Sequence, residues 1–482
     1  MKPLIVVAAV LLAAACIRNP ATGRRQLVLV SQKQEIELGQ QTKRQVEQSI
    51  PLYDHPQAQS YVSRVGTQLA RLSERPGLPW SFQILDDPSV NAFALPGGPI
   101  FITRGLLTHM SSEGELASVL GHEIAHVTAR HAVDQISRAQ LAQLGLGLGA
   151  IFVPDFGQFG GLFATGAQVL FLKYGRDDEL EADGLGLKYA YRARYDVREM
   201  KSLFSTLDRV GKKEGSRLPQ WLSTHPSPAN RRQEIDEELA ELGAVDFDRL
   251  VLGRDAYLER IDGFVFGEDP RQGFFRGQIF YHPRLAFELH FPTSWRTQNQ
   301  PALVVGVSPA EDAAILLGVA GTQSPERSMQ QFFAQSGVSP VGEPTTRLHE
   351  LPSLSSYFQA QTEQGMVAGV VSFLAYGGRT YQILAYTPRQ RLSAYQAAFE
   401  TSVSSFARVT DRSVLDVQPA RIQVFTAPVE MSVRELYQRF PSTVPLEEVA
   451  LINGLWVDGK VLQGQKFKRV VGGLTPSVVS QK

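Results

Sequence analysis

Residues 121–131 read GHEIAHVTARH, with His122 and His126 four positions apart. On a helix that spacing stacks two imidazoles on one face, where each can offer a ring nitrogen to the same metal ion. Glu123 is turned about 100° from His122, so its carboxylate can reach a water beside the ion rather than the ion itself. Zinc brings the pKa of such a water to about 7, and a neighbouring carboxylate can take the proton while the oxygen attacks a carbonyl. The competing reading is a helix carrying satisfied core histidines, because a five-residue motif alone is only suggestive.

A hydrolytic zinc site needs a third protein ligand and one open position. His131 lies five residues past His126, about 140° round a continuous helix, and is expected to face elsewhere as a bystander. Ala129 and Ala132 stand where an extended motif would carry glycine and histidine. A later stretch, ELEAD, offers Glu179 and Asp183 at helical spacing. One of these can bind the ion while the other accepts a ring N–H from a ligating histidine and fixes its tautomer. Glu181, about 200° from Glu179, is expected on the outer side of that helix, solvated or paired.

The elements that must hold these residues follow from periodicity. Apolar residues recur at helical spacing from Gln34 to Leu72, and WSFQILDD and GGPIFITRGLL are short β-rich runs. Residues 112–138 and DDELEADGLGLKYAYRARY read as helices. Between them the stretch from Leu144 to Leu172 is apolar and rich in glycine, which argues against a simple transmembrane helix. It is a candidate lid, a lipid-touching surface or a buried hairpin. Glycines, charges and a proline cluster over 267–277 mark a domain boundary. Beyond it, short strands with two helical stretches predict an α+β module with an antiparallel sheet. His282, His290 and His349 have no helical partner there and read as structural or exposed. Residues 421–470 read as strand, helix, helix, strand. At 482 residues the chain is long enough for two to four domains.

Taken together, HEIAH followed by ELEAD within GRDDELEADGLGL resembles the zinc metallopeptidase family of the CAAX prenyl protease and the Oma-type proteases. Within it, the chain is similar to the bacterial periplasmic lipoprotein branch of β-barrel assembly-enhancing proteases. Asn91-Ala92-Phe93-Ala94, Pro96-Gly97-Gly98, Gly105-Leu106-Leu107, Glu115-Leu116, Thr224-His225-Pro226 and Arg231 extend the resemblance over roughly residues 30–245. It implies an α+β multidomain chain whose protease domain, residues 16–265, is mostly helical with a small β-sheet, of the HExxH gluzincin type. It implies one Zn2+ per chain bound by His122, His126 and Glu179, with Glu123 as general base and Asp183 behind the ligands. Pro99, Ile100, Phe101 and Ile102 would form an edge strand that pairs with an extended substrate. His225 would donate to the oxyanion, approach the zinc and hold the enzyme latent, or serve only as a structural histidine. Arg176 would position Glu179 or its neighbours. Residues 278–410 resemble the PsbP/Mog-like fold, and 418–472 a LysM-like βααβ module that implies peptidoglycan as a partner. Its opening, Ala427-Pro428-Val429-Glu430, departs from the usual pattern.

Residues 1–15 have the plan of a secretory signal, a Lys near the start and an apolar run too short to span a bilayer comfortably. Ala13-Ala14-Ala15-Cys16 resembles a bacterial lipobox, which implies lipidation of Cys16. Ile17 favours the outer membrane by the same resemblance. Cys16 is the only cysteine, so no intramolecular disulfide can form. Lys and Arg number 48 and Asp and Glu also 48, which removes the electrostatic case for a nucleic-acid partner. The expected protein is a periplasmic, lipid-anchored metalloendopeptidase acting on misfolded or stalled envelope proteins. The alternative is a non-proteolytic envelope chaperone or peptidoglycan-associated scaffold.

Overall fold

A computed structural model describes residues 16–474 apart from 20, 146–173, 214–220, 222–223, 226–230, 242, 244, 301–302, 347–349 and 363–364. The expected signal segment, nearly all of the apolar glycine-rich stretch and His349 lie outside the described residues. The described chain forms helices and several sheets in two units, one of residues up to 268 with 421–471, the other of 269–420. Among the described residues no helix is long and apolar enough to cross a membrane.

The first unit opens with a hairpin of β1 (Cys16–Arg18) and β2 (Arg25–Leu27). Helix α1 (Gln32–Ser49) follows from a capping box in which Ser31 and Gln34 satisfy each other's free amides, and α2 (Pro56–Ala70) starts with proline in its first turn. A three-stranded sheet then forms from β3 (Ser81–Leu85), β4 (Ala92–Ala94) and β5 (Pro99–Thr103). Its order is β3-β5-β4, with β5 parallel to β3 and antiparallel to β4. Pro99, Ile100, Phe101 and Ile102 are therefore not on an edge strand. They lie in the central strand, buried and paired on both sides, and the strands at the sheet's edges are β3 and β4. A continuous apolar run marks a strand covered on both faces, and PIFIT has that texture.

Helix α3 (Arg104–His109) leads to α4 (Glu113–Thr128), whose N-terminus is capped by Ser112 accepting from the Glu115 amide. All sixteen residues of α4 are buried. A helix apolar around most of its circumference needs partners on every side. These are α2, α6 (Arg176–Arg192), α7 (Glu199–Lys213), α9 (Arg254–Ile261) and the strands. α5 (His131–Gly145) starts only three residues after α4 ends, and α8 (Arg231–Glu241) packs on α6 and α7.

The expected single helix over 112–138 is thus two. Arg130 between them has φ 58°, a left-handed conformation unfavourable for a side chain, and the surroundings hold it there. Its guanidinium donates to the Val30 carbonyl at 3.0 Å and pairs with buried Glu35 of α1 at 2.9 Å. Glu35 also takes a two-pronged grip from Arg75, which donates in turn to the Val127 carbonyl. Asn19 and Gln26 of the N-terminal hairpin both donate to the Ala129 carbonyl at 2.7 Å. The end of α4 is therefore fixed by groups drawn from three distant stretches of chain.

In the second unit seven antiparallel strands run in one sheet, bounded by Arg296–Gln300 and Val338–Thr345. Alternate residues face opposite sides. Ile315, Val370 and Ile383 pack under the helix Leu392–Ser404, and Leu316, Val371 and Leu384 under the helix Pro325–Phe333.

The C-terminal module pairs Ala420–Thr426 with Lys466–Gly472 and Met431–Ser432 with Lys460–Val461, around helices Val433–Arg439 and Leu446–Ile452. It belongs to the first unit. Lys468, fully buried, donates to the carbonyls of Thr108 and Met110 just ahead of α4. Burial pushes the nearby Glu115 carboxyl up to about 7, with Glu199 adding to the rise, and burial pulls the Lys468 ammonium down to about 7. Between about pH 4 and 7 the folded chain keeps a proton on Glu115 that the unfolded chain releases, so stability falls as pH rises. Between about pH 7 and 10 the unfolded chain keeps a proton on Lys468 that the folded chain releases, so stability rises again. Denaturant midpoints measured across that range should show a dip near neutrality relative to the Glu115→Gln/Lys468→Met double variant. A difference that stays flat with pH would count against the buried pair.

Candidate metal centre

His122 and His126 arise from α4, Glu179 and Asp183 from α6, and their meeting depends on how closely the two helices approach. Gly121 and Gly186 make that approach possible. A methyl group on Gly121 would lie 2.8 Å from the Gly186 carbonyl oxygen, and one on Gly186 would lie 2.7 Å from the His122 amide nitrogen. Both clashes are with backbone, which cannot step aside.

Four side chains converge in the space so formed. Ligand atoms of His122, His126, Glu179 and His225 all lie within 4.8 Å of one another, and every one of these residues is buried. His122 Nε2 faces His126 Nε2 at 3.0 Å and His225 Nδ1 at 3.3 Å. Glu179 is 3.6 Å from each of the first two histidines and 2.9 Å from His225 Nδ1. Glu123 stands beside them with neither carboxylate oxygen hydrogen-bonded, and His225 Nε2 is 3.5 Å from it. Glu179 Oε2 also has no hydrogen-bond partner. Buried carboxylate oxygens left unsatisfied are costly in a folded protein. Nitrogens that face one another around such a carboxylate make a donor set that a divalent cation satisfies, and histidine with carboxylate suits zinc.

The groups behind the cluster set its electrostatics. Asp183 Oδ1 is 2.8 Å from His122 Nδ1, which turns the other nitrogen of that ring toward the cluster. Arg231 of α8 grips Asp183 with two nitrogens and lies 3.2 Å from Glu179 Oε2. Its guanidinium sits over the rings of Phe204 at 4.2 Å and Trp221 at 5.1 Å. Burial alone would raise the Asp183 and Glu179 carboxyls, yet Arg231 for the first and His225 for the second, with the further charges around them, hold both below the usual carboxylate range. Burial lowers His126, and the other imidazoles push it further down, so it stays neutral and able to act as a ligand. Burial also works against a charge on His225, but Glu179 and Glu123 outweigh it and hold that ring above the ordinary histidine value.

The cluster joins residues that the sequence singled out and several that it did not. Arg176 is exposed at the start of α6, and Arg231 from α8 pairs with Asp183 and Glu179. Tyr174 stacks on His126 with ring centres 3.9 Å apart, and Trp221 stacks on His225 at 5.1 Å. Neither had any motif signal. His131, expected to be a bystander, has Nδ1 at 2.9 Å from His126 Nδ1. The 140° rotation behind that expectation assumed a helix that in fact stops at Thr128.

A buried His-Glu-x-x-His helix crossed by a glutamate helix is the centre of a metallopeptidase domain. The profile of peptidase family M48 matches residues 56–239. The chain is 33% identical over 227 residues to the mitochondrial metalloendopeptidase OMA1 of Schizosaccharomyces pombe, covering 46% of this chain and 66% of that one. It is 31% identical over 208 residues to the β-barrel assembly-enhancing protease of Escherichia coli, covering 41% and 42%. The chain thus spans less than two thirds of these relatives' lengths. Among solved structures, a cyanobacterial PsbP from Synechocystis covers 28% of this chain and 94% of its own, at 12% identity and a TM-score of 0.24, too slight a likeness to bear on the fold. The chain carries a peptidase family M48 domain of the Oma and β-barrel assembly-enhancing protease type, a zinc-dependent family.

Replacing Gly186 with alanine should force the two helices apart and destabilise the domain by about 1–3 kcal/mol. Thermal unfolding should show the loss, and zinc content measured on the same preparation should fall with it. A variant that melts normally and keeps its zinc would show that the close approach is not needed.

Proposed function

We propose that this chain is a zinc-dependent endopeptidase of the bacterial envelope that cuts peptide bonds in misfolded or stalled envelope proteins. The observation that carries this reading is the convergence of His122, His126 and Glu179, with the Glu123 carboxylate, neither oxygen hydrogen-bonded, beside them. These three residues would hold one ion per chain, with Asp183 and Arg231 keeping His122 oriented. The ion, when bound, polarises the substrate carbonyl and acidifies water. Glu123 takes the proton from the attacking water and returns it to the leaving amide nitrogen.

His225 supplies a fourth donor within the same 4.8 Å group. Four protein donors describe a closed site, whereas hydrolysis needs an open position. In this reading His225 holds the enzyme latent and must withdraw before substrate is cut. An extended polypeptide would pair with the edge strand β4, Ala92–Ala94, through main-chain bonds that demand little of its side chains, which suits unfolded substrates. Cys16 would carry the lipid that anchors the chain at the periplasmic face of the outer membrane. Residues 278–410 would be a PsbP/Mog-like domain, and 418–472 a LysM-like module able to approach peptidoglycan.

Cleavage of casein or an unfolded barrel protein tests the reading. Glu123→Gln should keep its zinc and lose about 10²–10⁴ of the rate. His225→Ala should cut faster than the wild type, and a slower cut would assign His225 to transition-state stabilisation instead. Should the wild type and His225→Ala both bind one zinc and neither cut any substrate, the chain is a chaperone or scaffold and the protease reading fails.

A further inference from the structure

The two histidines of the motif are held from behind by different devices. Behind His122 stands a carboxylate, Asp183, itself gripped by Arg231. Behind His126 stands a third imidazole. His131 Nδ1 is 2.9 Å from His126 Nδ1, and its other nitrogen, Nε2, is 3.1 Å from Glu181 Oε2. His131 is buried, whereas the Glu181 side chain keeps 13% of its surface exposed and lies 3.3 Å from Arg24 of the N-terminal hairpin. Because Arg24 is itself largely exposed, that outermost pair adds little.

We infer that His131 and Glu181 are positioning residues that fix the tautomer and ring orientation of His126. The inference rests on the proposal that His126 is a metal ligand, and it follows from counting protons. His126 Nε2 points into the cluster, 3.0 Å from His122 Nε2 and 3.6 Å from Glu179, so as a ligand it must present a lone pair there. Its single proton then sits on Nδ1 and needs an acceptor. His131 Nδ1 can accept only if the proton of that second ring is on Nε2. The Glu181 carboxylate oxygen, an acceptor 3.1 Å away, draws the His131 proton to Nε2. The chain therefore runs in one sense, with His126 Nδ1–H donating to His131 Nδ1 and His131 Nε2–H donating to Glu181. Asp178 Oδ1 also faces His131 Nε2, but at 3.9 Å it is beyond hydrogen-bond reach. Without Glu181 no hydrogen bond therefore holds the proton on Nε2, and the His131 ring can carry it on Nδ1. Two N–H groups would then face each other at 2.9 Å, and His126 would have to rotate or move its own proton onto the nitrogen that faces the metal.

The arrangement needs the break in the helix. With Arg130 at φ 58°, the chain starts a new helix at His131 and brings that ring alongside His126, their centres 5.0 Å apart. Loss of a partner behind a ligating histidine typically costs 10–100-fold in metal affinity.

Zinc affinity measured by competition with a chelator tests the inference on the full chain, with circular dichroism of the metal-free protein as the check on folding. His131→Leu should bind zinc about 10–100-fold more weakly. His131→Asn can place an amide oxygen near the position of Nδ1, accept the His126 N–H, and recover most of the loss. Glu181→Ala should weaken zinc binding in the wild-type background and add nothing to His131→Leu, because a chain broken at its middle no longer feels its end. In the cobalt-substituted protein the paramagnetically shifted N–H resonance of His126 should move in Glu181→Ala, a change that loss of packing at the rim would not cause. Where His131→Leu does not fold, Glu181→Ala at the partly exposed rim carries the test. Wild-type zinc affinity in Glu181→Ala with an unmoved His126 resonance, or in a folded His131→Leu, overturns the inference and leaves the metal reading intact. A wild type that binds no zinc sinks both.

Discussion

The close approach of α4 and α6 at Gly121 and Gly186 is the constraint on which the rest of the site depends. Neither helix holds a complete ligand set. α4 brings His122, His126 and Glu123, α6 brings Glu179 and Asp183, and the backbones must nearly touch for short carboxylate side chains to span the gap. The glycines stand immediately beside the chemistry, one just before His122 and the other three residues after Asp183. Packing and catalytic geometry are therefore the same feature seen at two scales. A site on rigid, buried helices holds its groups more tightly than one on loops.

Around this contact the protein places charges in compensating layers. Three carboxylates and four imidazoles buried together would be untenable without compensating charge. Arg231 supplies a full positive charge that cannot be lost by deprotonation, shields it under Phe204 and Trp221, and keeps both Glu179 and Asp183 ionised. At the far end of α4, Glu35 takes the positive charges of Arg75 and Arg130 and in doing so fixes the turn that redirects the chain. The C-terminal module does the same at the near end, where Lys468 holds the carbonyls that precede the helix. Both ends of the motif helix are thus pinned by charged groups from remote sequence.

The chemistry was legible in short stretches of chain because it depends on residue type and on helical spacing. His122, Glu123 and His126 share one helix, as do Glu179 and Asp183, and the 3.6-residue period is enough to place members of each set relative to one another. The alternation and apolar runs likewise marked strands and an α+β texture beyond the boundary placed at 267–277. What failed were extrapolations beyond one element. His131 was misplaced because a helix was continued through Arg130, where tertiary contacts impose a left-handed residue.

The sequence by itself determined the donor types, their spacing and the class of reaction, since these are properties of local backbone geometry and side-chain chemistry. Only the tertiary structure decided that Pro99–Thr103 runs through the middle of its sheet, that His225 joins the cluster, and that His131 and Glu181 stand behind His126. Each of these depends on segments far apart in the chain being brought together by packing and buried charge. Neither interaction leaves a periodic trace along the sequence, and that is the physical reason they could be seen only once the chain was folded.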